Sequence, residues 1–182
     1  MNKCLIIIDV QNDYFENGKN PLYNSEKTVK IIKETLDFFR KNHYPIIHVQ
    51  HIAIKSNATF FIKDTYGSEI HSLVKPLEHE KVIIKNYPNS FNNTELLNYL
   101  ENQKIEELII CGMMTHMCVA ATTKAAFDLG FKCQVLKDAC TTKDLIFEDT
   151  IIPAETVHKT ILASLNGVFG KITSLENIKK EM

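Results

Sequence analysis

The chain lacks several features that would mark other classes of protein. It contains no Gly/Ser-rich linker, internal repeat or low-complexity tract, so residues 1–182 are predicted to form a single domain. No segment approaches the roughly 20 apolar residues that a membrane-spanning helix needs. The apolar run Leu5–Ile8 is short, meets Asp9 and lacks a small-residue cleavage site, which favours a buried strand over a signal peptide.

An excess of one charge and a set of paired cysteines are also missing. The formal net charge is −1, so the composition gives no reason to expect a nucleic acid or an anionic membrane as partner. The five cysteines are odd in number, and no two of them form a CxxC pair. This cysteine usage argues against a disulfide framework and predicts a reducing compartment, the cytoplasm.

What the chain does contain is an alternation of short apolar runs with longer segments of helical periodicity. Six runs are predicted to be strands: Cys4–Ile8, Pro45–Gln50, Lys81–Ile84, Glu107–Cys111, Lys132–Leu136 and Val168–Ile172. Four segments are predicted to be helices: Ser25–Asn42, Thr94–Asn102, His116–Leu129 and Ala154–Leu165. This alternation predicts a doubly wound α/β fold, with a mostly parallel sheet of about six strands and helices on both faces.

Three chemically capable residues each stand at or just after the end of a different predicted strand. Asp9 follows the first strand, Lys85 follows the third, and Cys118 opens the helix after the fourth. Ligands of such sheets bind outside the carboxyl ends of the strands. We therefore expect the carboxylate, the ammonium and the thiol to meet at one edge of the sheet.

Each of these residues also has a simpler interpretation. A free cysteine is usually a small buried apolar residue, Asp9 could cap a turn, and Lys85 could be a solvated strand end. With Thr115 as the N-cap, Cys118 would lie in the first helical turn, where the helix dipole favours a thiolate. The simple interpretations weaken when the three residues are considered together.

Three blocks of sequence resemble the signature blocks of the isochorismatase-like cysteine hydrolases, a family that includes nicotinamidases, N-carbamoylsarcosine amidase and streptothricin hydrolase. The blocks are DVQNDYF at Asp9–Phe15, KNYPNSF at Lys85–Phe91 and CGMMTHMCVAATTKAAFDLG at Cys111–Gly130. The resemblance implies that Asp9, Lys85 and Cys118 form a catalytic triad. It also implies a cis peptide bond at Met113–Met114 and an oxyanion hole formed by the N–H groups of Met114 and Cys118.

The resemblance further implies the reaction and the assembly. The expected activity is hydrolysis of an amide-type C–N bond of a small molecule through a thioester on the cysteine, without a cofactor. A homo-oligomer is expected as well. Candidates for the substrate pocket are Phe15, Phe60, Phe61, Tyr66, Met113 and Thr115. The segment from Phe60 to Tyr66 could equally be a surface loop.

A metal is not expected. Nicotinamidases carry an Asp-x-His element after the second strand, and the corresponding segment here, Ile47–Ile52, has no aspartate. His48 and His51 are three residues apart on a strand and therefore point to opposite faces, although Glu69 and His71 could add ligands from the following loop. Isochorismatase itself lacks the catalytic cysteine, whereas Cys118 is present here. Neither nicotinamidase nor isochorismatase activity is therefore favoured.

Two other functional classes remain open from the sequence. The chain could be an α/β module that binds a ligand or a partner without catalysis. It could also be a thiol redox sensor, with Cys118 as the reactive thiol and Cys111 or Cys140 as the resolving one. A dinucleotide or P-loop site is not expected, because neither glycine motif occurs. His116 is not expected to act as a base for Cys118, since side chains two residues apart on a helix diverge.

Overall fold

A computed structural model describes residues 2–181 and shows a six-stranded parallel sheet with a small separate hairpin. The sheet strands are β1 (Lys3–Ile8), β2 (Ile46–His51), β3 (Lys81–Lys85), β4 (Glu107–Met113), β5 (Lys132–Thr141) and β8 (Lys171–Thr173). The hairpin consists of the antiparallel strands β6 (Leu145–Phe147) and β7 (Thr150–Ile152). The predicted α/β fold is confirmed.

The strand order is β3-β2-β1-β4-β5-β8, and every neighbouring pair is parallel. The order runs in one direction from β1 to β3 and in the other from β4 to β8. With right-handed crossovers, this reversal puts the connecting helices on both faces of the sheet and opens a crevice between β1 and β4. Residues Leu5–Ile8 of β1 are almost completely buried, as expected for a central strand.

Within the described part of the chain, five α-helices connect or follow the strands: α1 (Ser25–Lys41), α2 (Leu96–Asn102), α3 (Ala120–Asp128), α4 (Ala154–Leu165) and α5 (Leu175–Glu181). Helix α1 contacts α5, and α3 contacts α4. The predicted periodicity of α1 is correct, because Val29, Ile32, Leu36 and Phe39 are all fully buried. Within residues 2–181, no helix combines the length and the apolar character needed to cross a membrane.

Several element boundaries differ from the prediction. Strand β5 continues five residues beyond the predicted Leu136, to Thr141, and the last sheet strand starts at Lys171, not at Val168. The predicted helix from His116 is divided into a π-helical turn, Thr115–Val119, and α3. The hairpin and α5 were not predicted, because their short segments carry no clear periodicity.

A buried ionic cluster joins α1 to the sheet. Arg40 at the end of α1 donates two hydrogen bonds to Glu80, which also receives the N–H of Leu77 and lies 2.9 Å from Nε2 of His48 on β2. Burial raises the pKa of Glu80, but these hydrogen bonds outweigh burial and lower it to about 2. His48 is thus a buried structural residue.

Gly112 allows β4 to approach β1 directly beside the candidate site. A Cβ atom on Gly112 would lie 2.1 Å from the carbonyl oxygen of Ile8, and the residue has φ of 124°. Ile8 pairs with Gly112 and immediately precedes Asp9. Any larger residue at position 112 must therefore push apart the two strands that carry the site.

We expect Gly112→Ala to lower the free energy of unfolding by about 1–3 kcal/mol or more, because the methyl group overlaps backbone that cannot move away. The measurement is urea unfolding of the variant and the parent. Gly130→Ala is the matched control, since Gly130 also has positive φ (90°) but would place its Cβ in open space. An equal loss of stability in the two variants would show that the conformation of Gly112, and not the close approach, is what matters.

Candidate active site

Asp9 lies directly after β1 and is completely buried. Its φ is 52°, in the left-handed region that aspartate tolerates better than most residues. Its N–H donates to the carbonyl of Val49 on β2, which fixes the turn. The carboxylate is thereby held at the carboxyl edge of the sheet, where the sequence predicts it.

Lys85 is the last residue of β3 and is also completely buried. Its Nζ lies 2.8 Å from Oδ2 of Asp9, 3.1 Å from the carbonyl of Tyr87 and 3.2 Å from that of Pro88. Burial lowers the pKa of Lys85, but Asp9 and Cys118 outweigh it and raise the pKa above its ordinary value. Lys85 is therefore an ammonium at neutral pH and not a solvated strand end.

Cys118 lies in the π-helical turn that precedes α3, and it is only 5% exposed. The carbonyl of Met114 accepts the N–H groups of Met117 and Val119, which holds this turn in place. The Met113–Met114 peptide bond is cis. The Cys118 sulfur lies within 4.8 Å of a carboxylate oxygen of Asp9, and that carboxylate is paired with Lys85, so the three predicted side chains do meet.

The predicted N-cap at Thr115 is wrong. The residue before the turn is Met114, and the Thr115 hydroxyl contacts the carbonyl of Thr141 and Nδ1 of His158 instead.

The expected lowering of the pKa of Cys118 is wrong as well. Burial and the neighbouring Asp9 raise the pKa of Cys118, and Lys85 opposes them without prevailing. The resting residue is thus a neutral thiol beside a carboxylate.

His51 was considered only as a metal ligand or a pocket residue, but the structure places it in the cluster. Its Nδ1 lies 3.3 Å from Nζ of Lys85. The buried amide of Gln11 accepts the N–H of His51 and donates to its carbonyl, both at 2.8 Å. Burial lowers the pKa of His51. The position of Gln11 in the sequence block that begins with Asp9 was the one signal that this contact with His51 belongs to the site.

Tyr14 is a second neighbour that the sequence did not single out. It is 1% exposed, and burial together with the neighbouring Cys118, Asp9 and Asp13 raises its pKa. Its ring packs 4.6 Å from that of Phe61. The N–H of Phe61 donates to the Asp13 carboxylate, so Asp13 caps a turn and holds this loop against the site.

A cavity of about 750 Å³ opens beside the cluster and contains two of the predicted pocket residues, Phe60 and Phe61. Phe15, Phe60 and Tyr66 line a different cavity of about 390 Å³. Met113 and Thr115 are completely buried and line neither cavity. The segment from Phe60 thus begins as a cavity wall and becomes surface at Tyr66, which is 76% exposed.

The histidines do not converge in the manner considered from the sequence. His48 contacts Glu80, whereas the ring of His71 packs tilted against that of Phe15, with ring centroids 4.1 Å apart. Among residues 2–181, one set of three potential ligands lies close together, with ligand atoms within 4.8 Å: Asp9, His51 and Cys118. A cation there would compete with the ammonium of Lys85. His116 contacts the Thr142 hydroxyl through Nδ1.

The fold and this cluster place the chain among doubly wound α/β proteins with a site at the carboxyl edge of the sheet. Residues 3–177 match the profile of the isochorismatase domain. The uncharacterized isochorismatase family protein YddQ of Bacillus subtilis is 47% identical over 99% of this chain and 100% of its own. The crystal structure of an isochorismatase from Pseudomonas putida superposes with a TM-score of 0.90, at 35% identity, over 97% of this chain and 89% of its own.

More distant relatives have names that state an activity. A streptothricin hydrolase of Streptomyces noursei is 27% identical over 79% of this chain and 56% of its own length. The nicotinamidase of Escherichia coli is 25% identical over 76% of this chain and 82% of its own. The chain belongs to the isochorismatase family of hydrolases, which confirms the family predicted from the three sequence blocks.

We expect Asp9→Asn to increase the rate at which iodoacetamide alkylates Cys118 at pH 8, by several-fold. The charge of Asp9 raises the pKa of this thiol, so its removal lowers the pKa and increases the fraction of thiolate. Peptide mapping after limited alkylation measures the rate. Cys133 is an internal control, because burial and Glu107, not Asp9, raise its pKa. Slower labelling of Cys118 in the variant would contradict this electrostatic assignment.

Proposed function

We propose that the protein is a cysteine hydrolase that cleaves an amide-type C–N bond of a small molecule, with Asp9, Lys85 and Cys118 as its triad. The observation that carries the proposal is the completely buried Asp9–Lys85 ion pair beside the Cys118 thiol. Burying two charges is costly for the fold unless they are well paired. Next to a thiol, such a pair supplies a base that can remove the thiol proton and a cation that can stabilise the thiolate.

In the first step, Asp9 removes the proton of the Cys118 thiol as Sγ attacks the carbonyl carbon of the amide. A new C–S bond forms, and the carbonyl oxygen becomes an oxyanion. A carboxylate oxygen of Asp9 lies within 4.8 Å of the Cys118 sulfur, so the proton has a short path. Lys85 remains charged and stabilises the thiolate as it forms, which offsets the raised pKa of the resting thiol.

The N–H groups of Met114 and Cys118 are the proposed donors to the oxyanion. Both residues lie next to or within the turn that is fixed by the hydrogen bonds to the Met114 carbonyl. When the tetrahedral intermediate collapses, Asp9 returns its proton to the leaving nitrogen and the C–N bond breaks. A thioester on Cys118 remains.

Water completes the cycle. Asp9 accepts a proton from a water molecule that attacks the thioester carbonyl, and the C–S bond then breaks to release the acid. The proton held by Asp9 returns to Cys118 as the thiol is restored. The balance of the reaction is one amide and one water consumed, with one acid and one amine produced.

The two alternative functions fit the site less well. A redox sensor requires an accessible thiol of low pKa, whereas burial raises the pKa of Cys118, Cys111 and Cys140 alike. A module that only binds a ligand would gain nothing from a buried ammonium and carboxylate placed against a thiol. The streptothricin hydrolase and nicotinamidase relatives also support hydrolysis of an amide.

We expect Cys118→Ala to reduce turnover of an amide substrate on the order of 10³-fold or more, because the nucleophile is lost. Asp9→Asn is expected to be comparably severe and not additive with it, since the two residues act in one step. Initial rates of ammonia or amine release provide the measurement. Cys133→Ala, which changes another buried cysteine, serves as control and retains parental activity. A Cys118→Ala protein with parental turnover would refute the mechanism.

Catalysis is further expected to be independent of a metal ion, because Lys85 supplies the positive charge within 2.8 Å of Asp9. After dialysis against a strong chelator, with removal verified by elemental analysis, activity on the amide substrate should remain unchanged. Activity that disappears and returns with zinc, iron or manganese would show instead that Asp9, His51 and Cys118, or other residues, hold a required ion.

A further inference from the structure

We propose that the group of the substrate next to the scissile amide is uncharged and apolar, either aromatic or branched aliphatic. This inference rests on the proposed function and concerns the 750 Å³ cavity. A cavity of this size accommodates a substituted ring or a similar group.

The cavity lies directly against the reacting groups. His51 is one of its walls and contacts Lys85. Tyr87 and Pro88, whose carbonyls accept from Lys85, form another wall. Met117, the residue before Cys118 in the chain, also lines it. A substrate whose carbonyl meets Cys118 therefore has its adjoining group in this cavity.

The walls are predominantly apolar. Seven of the lining residues present carbon surface: Ala53, Ile54, Ala58, Phe60, Phe61, Pro88 and Met117. The ring of Phe61 packs against those of Tyr14 and Phe60, with centroid distances of 4.6 and 5.0 Å, so this wall is held in place. Rigid aromatic surface favours a flat or branched apolar group, because such a group keeps contact while it loses little freedom.

The lack of buried charges around the cavity argues against an ionic substrate group more strongly than the shape of the cavity does. No aspartate or glutamate occurs among the lining residues that the structure describes. The one lysine on the wall, Lys55, is exposed, where an ion pair with a carboxylate is weak. Burial lowers the pKa of His51, which leaves it neutral. A charged group would thus lose hydration without gaining a buried partner.

The neighbouring cavity of about 390 Å³ provides a contrast within the same protein. Its lining includes Asp13, Glu16, Lys19 and Glu26. A cationic group would find partners there, but this cavity lacks His51, Pro88 and Met117, the residues that connect the larger one to the triad. The cavity whose described lining has no acidic residue is therefore the one that faces the chemistry.

Three amides of one scaffold test this inference: benzamide, 4-(aminomethyl)benzamide and 4-carbamoylbenzoate, which are neutral, cationic and anionic at neutral pH. We expect kcat/KM for benzamide to exceed that of each charged amide at least tenfold. The Cys118→Ala protein binds the amides without hydrolysing them. We expect calorimetry on this variant to show tighter binding of benzamide than of either charged amide. Equal or tighter binding of a charged member, or binding of none of the three, would overturn the inference.

A single charge on the wall should weaken the preference for the neutral amide. Asn57 lines the cavity and is exposed, so Asn57→Asp adds a carboxylate of the same size with little risk to folding. We expect this variant to improve kcat/KM for the aminomethyl amide relative to benzamide about twofold to fivefold, which is the gain that an exposed ion pair provides. Asn177→Asp makes the same change on an exposed residue of α5 and leaves the ratio as in the parent. An unchanged ratio in Asn57→Asp would show that the group binds elsewhere.

The experiment separates the failure of this inference from failure of the proposed function. If amides are hydrolysed through Cys118 but charged ones are preferred, only the assignment of the cavity is wrong. If hydrolysis continues unchanged in Cys118→Ala, the proposed mechanism is wrong, while the binding order still reports on the cavity.

Discussion

The buried ion pair of Asp9 and Lys85 is the interaction on which the site depends. The two residues come from β1 and β3, which are not neighbours, because β2 lies between them. The parallel register brings Ile8 level with Val49 and His51 level with Lys85, so the lysine side chain reaches past the end of β2. Two backbone carbonyls, of Tyr87 and Pro88, accept the remaining protons of the ammonium. Without these partners, a fully buried lysine would favour its neutral form.

The same burial determines the state of the thiol. It raises the pKa of Cys118, and Asp9 adds to that effect while Lys85 opposes it. The cysteine therefore keeps its proton in the resting protein, and the carboxylate that can remove this proton lies within 4.8 Å of the sulfur. This differs from a cysteine activated by a helix dipole, for which a standing thiolate is expected. The same charges of Asp9 and Lys85 therefore keep the resting thiol protonated and allow Asp9 to remove the proton when Cys118 attacks.

Much of the fold could be predicted from the amino-acid pattern. The strands that carry Asp9 and Lys85 were placed within one or two residues because solid apolar runs such as Cys4–Ile8 have few alternatives in an α/β chain. The details around Cys118 could not. Thr115 has the composition of an N-cap, yet its hydroxyl contacts Thr141 and His158, residues 26 and 43 positions away. Local propensity carries no information about contacts across such separations.

The sequence by itself determined the fold class and the three residues that meet at the sheet edge, because alternating strands and helices form a parallel sheet whose ligands bind at the carboxyl ends. Three sequence blocks determined the family. Only the tertiary structure decided what surrounds them. The buried side-chain amide of Gln11 holds His51 beside the cluster, and packing against the ring of Phe61 holds Tyr14 there. The cavity walls come largely from loops. The protonation of the thiol was decided there too, since burial and the distances between charges exist only once the chain is folded.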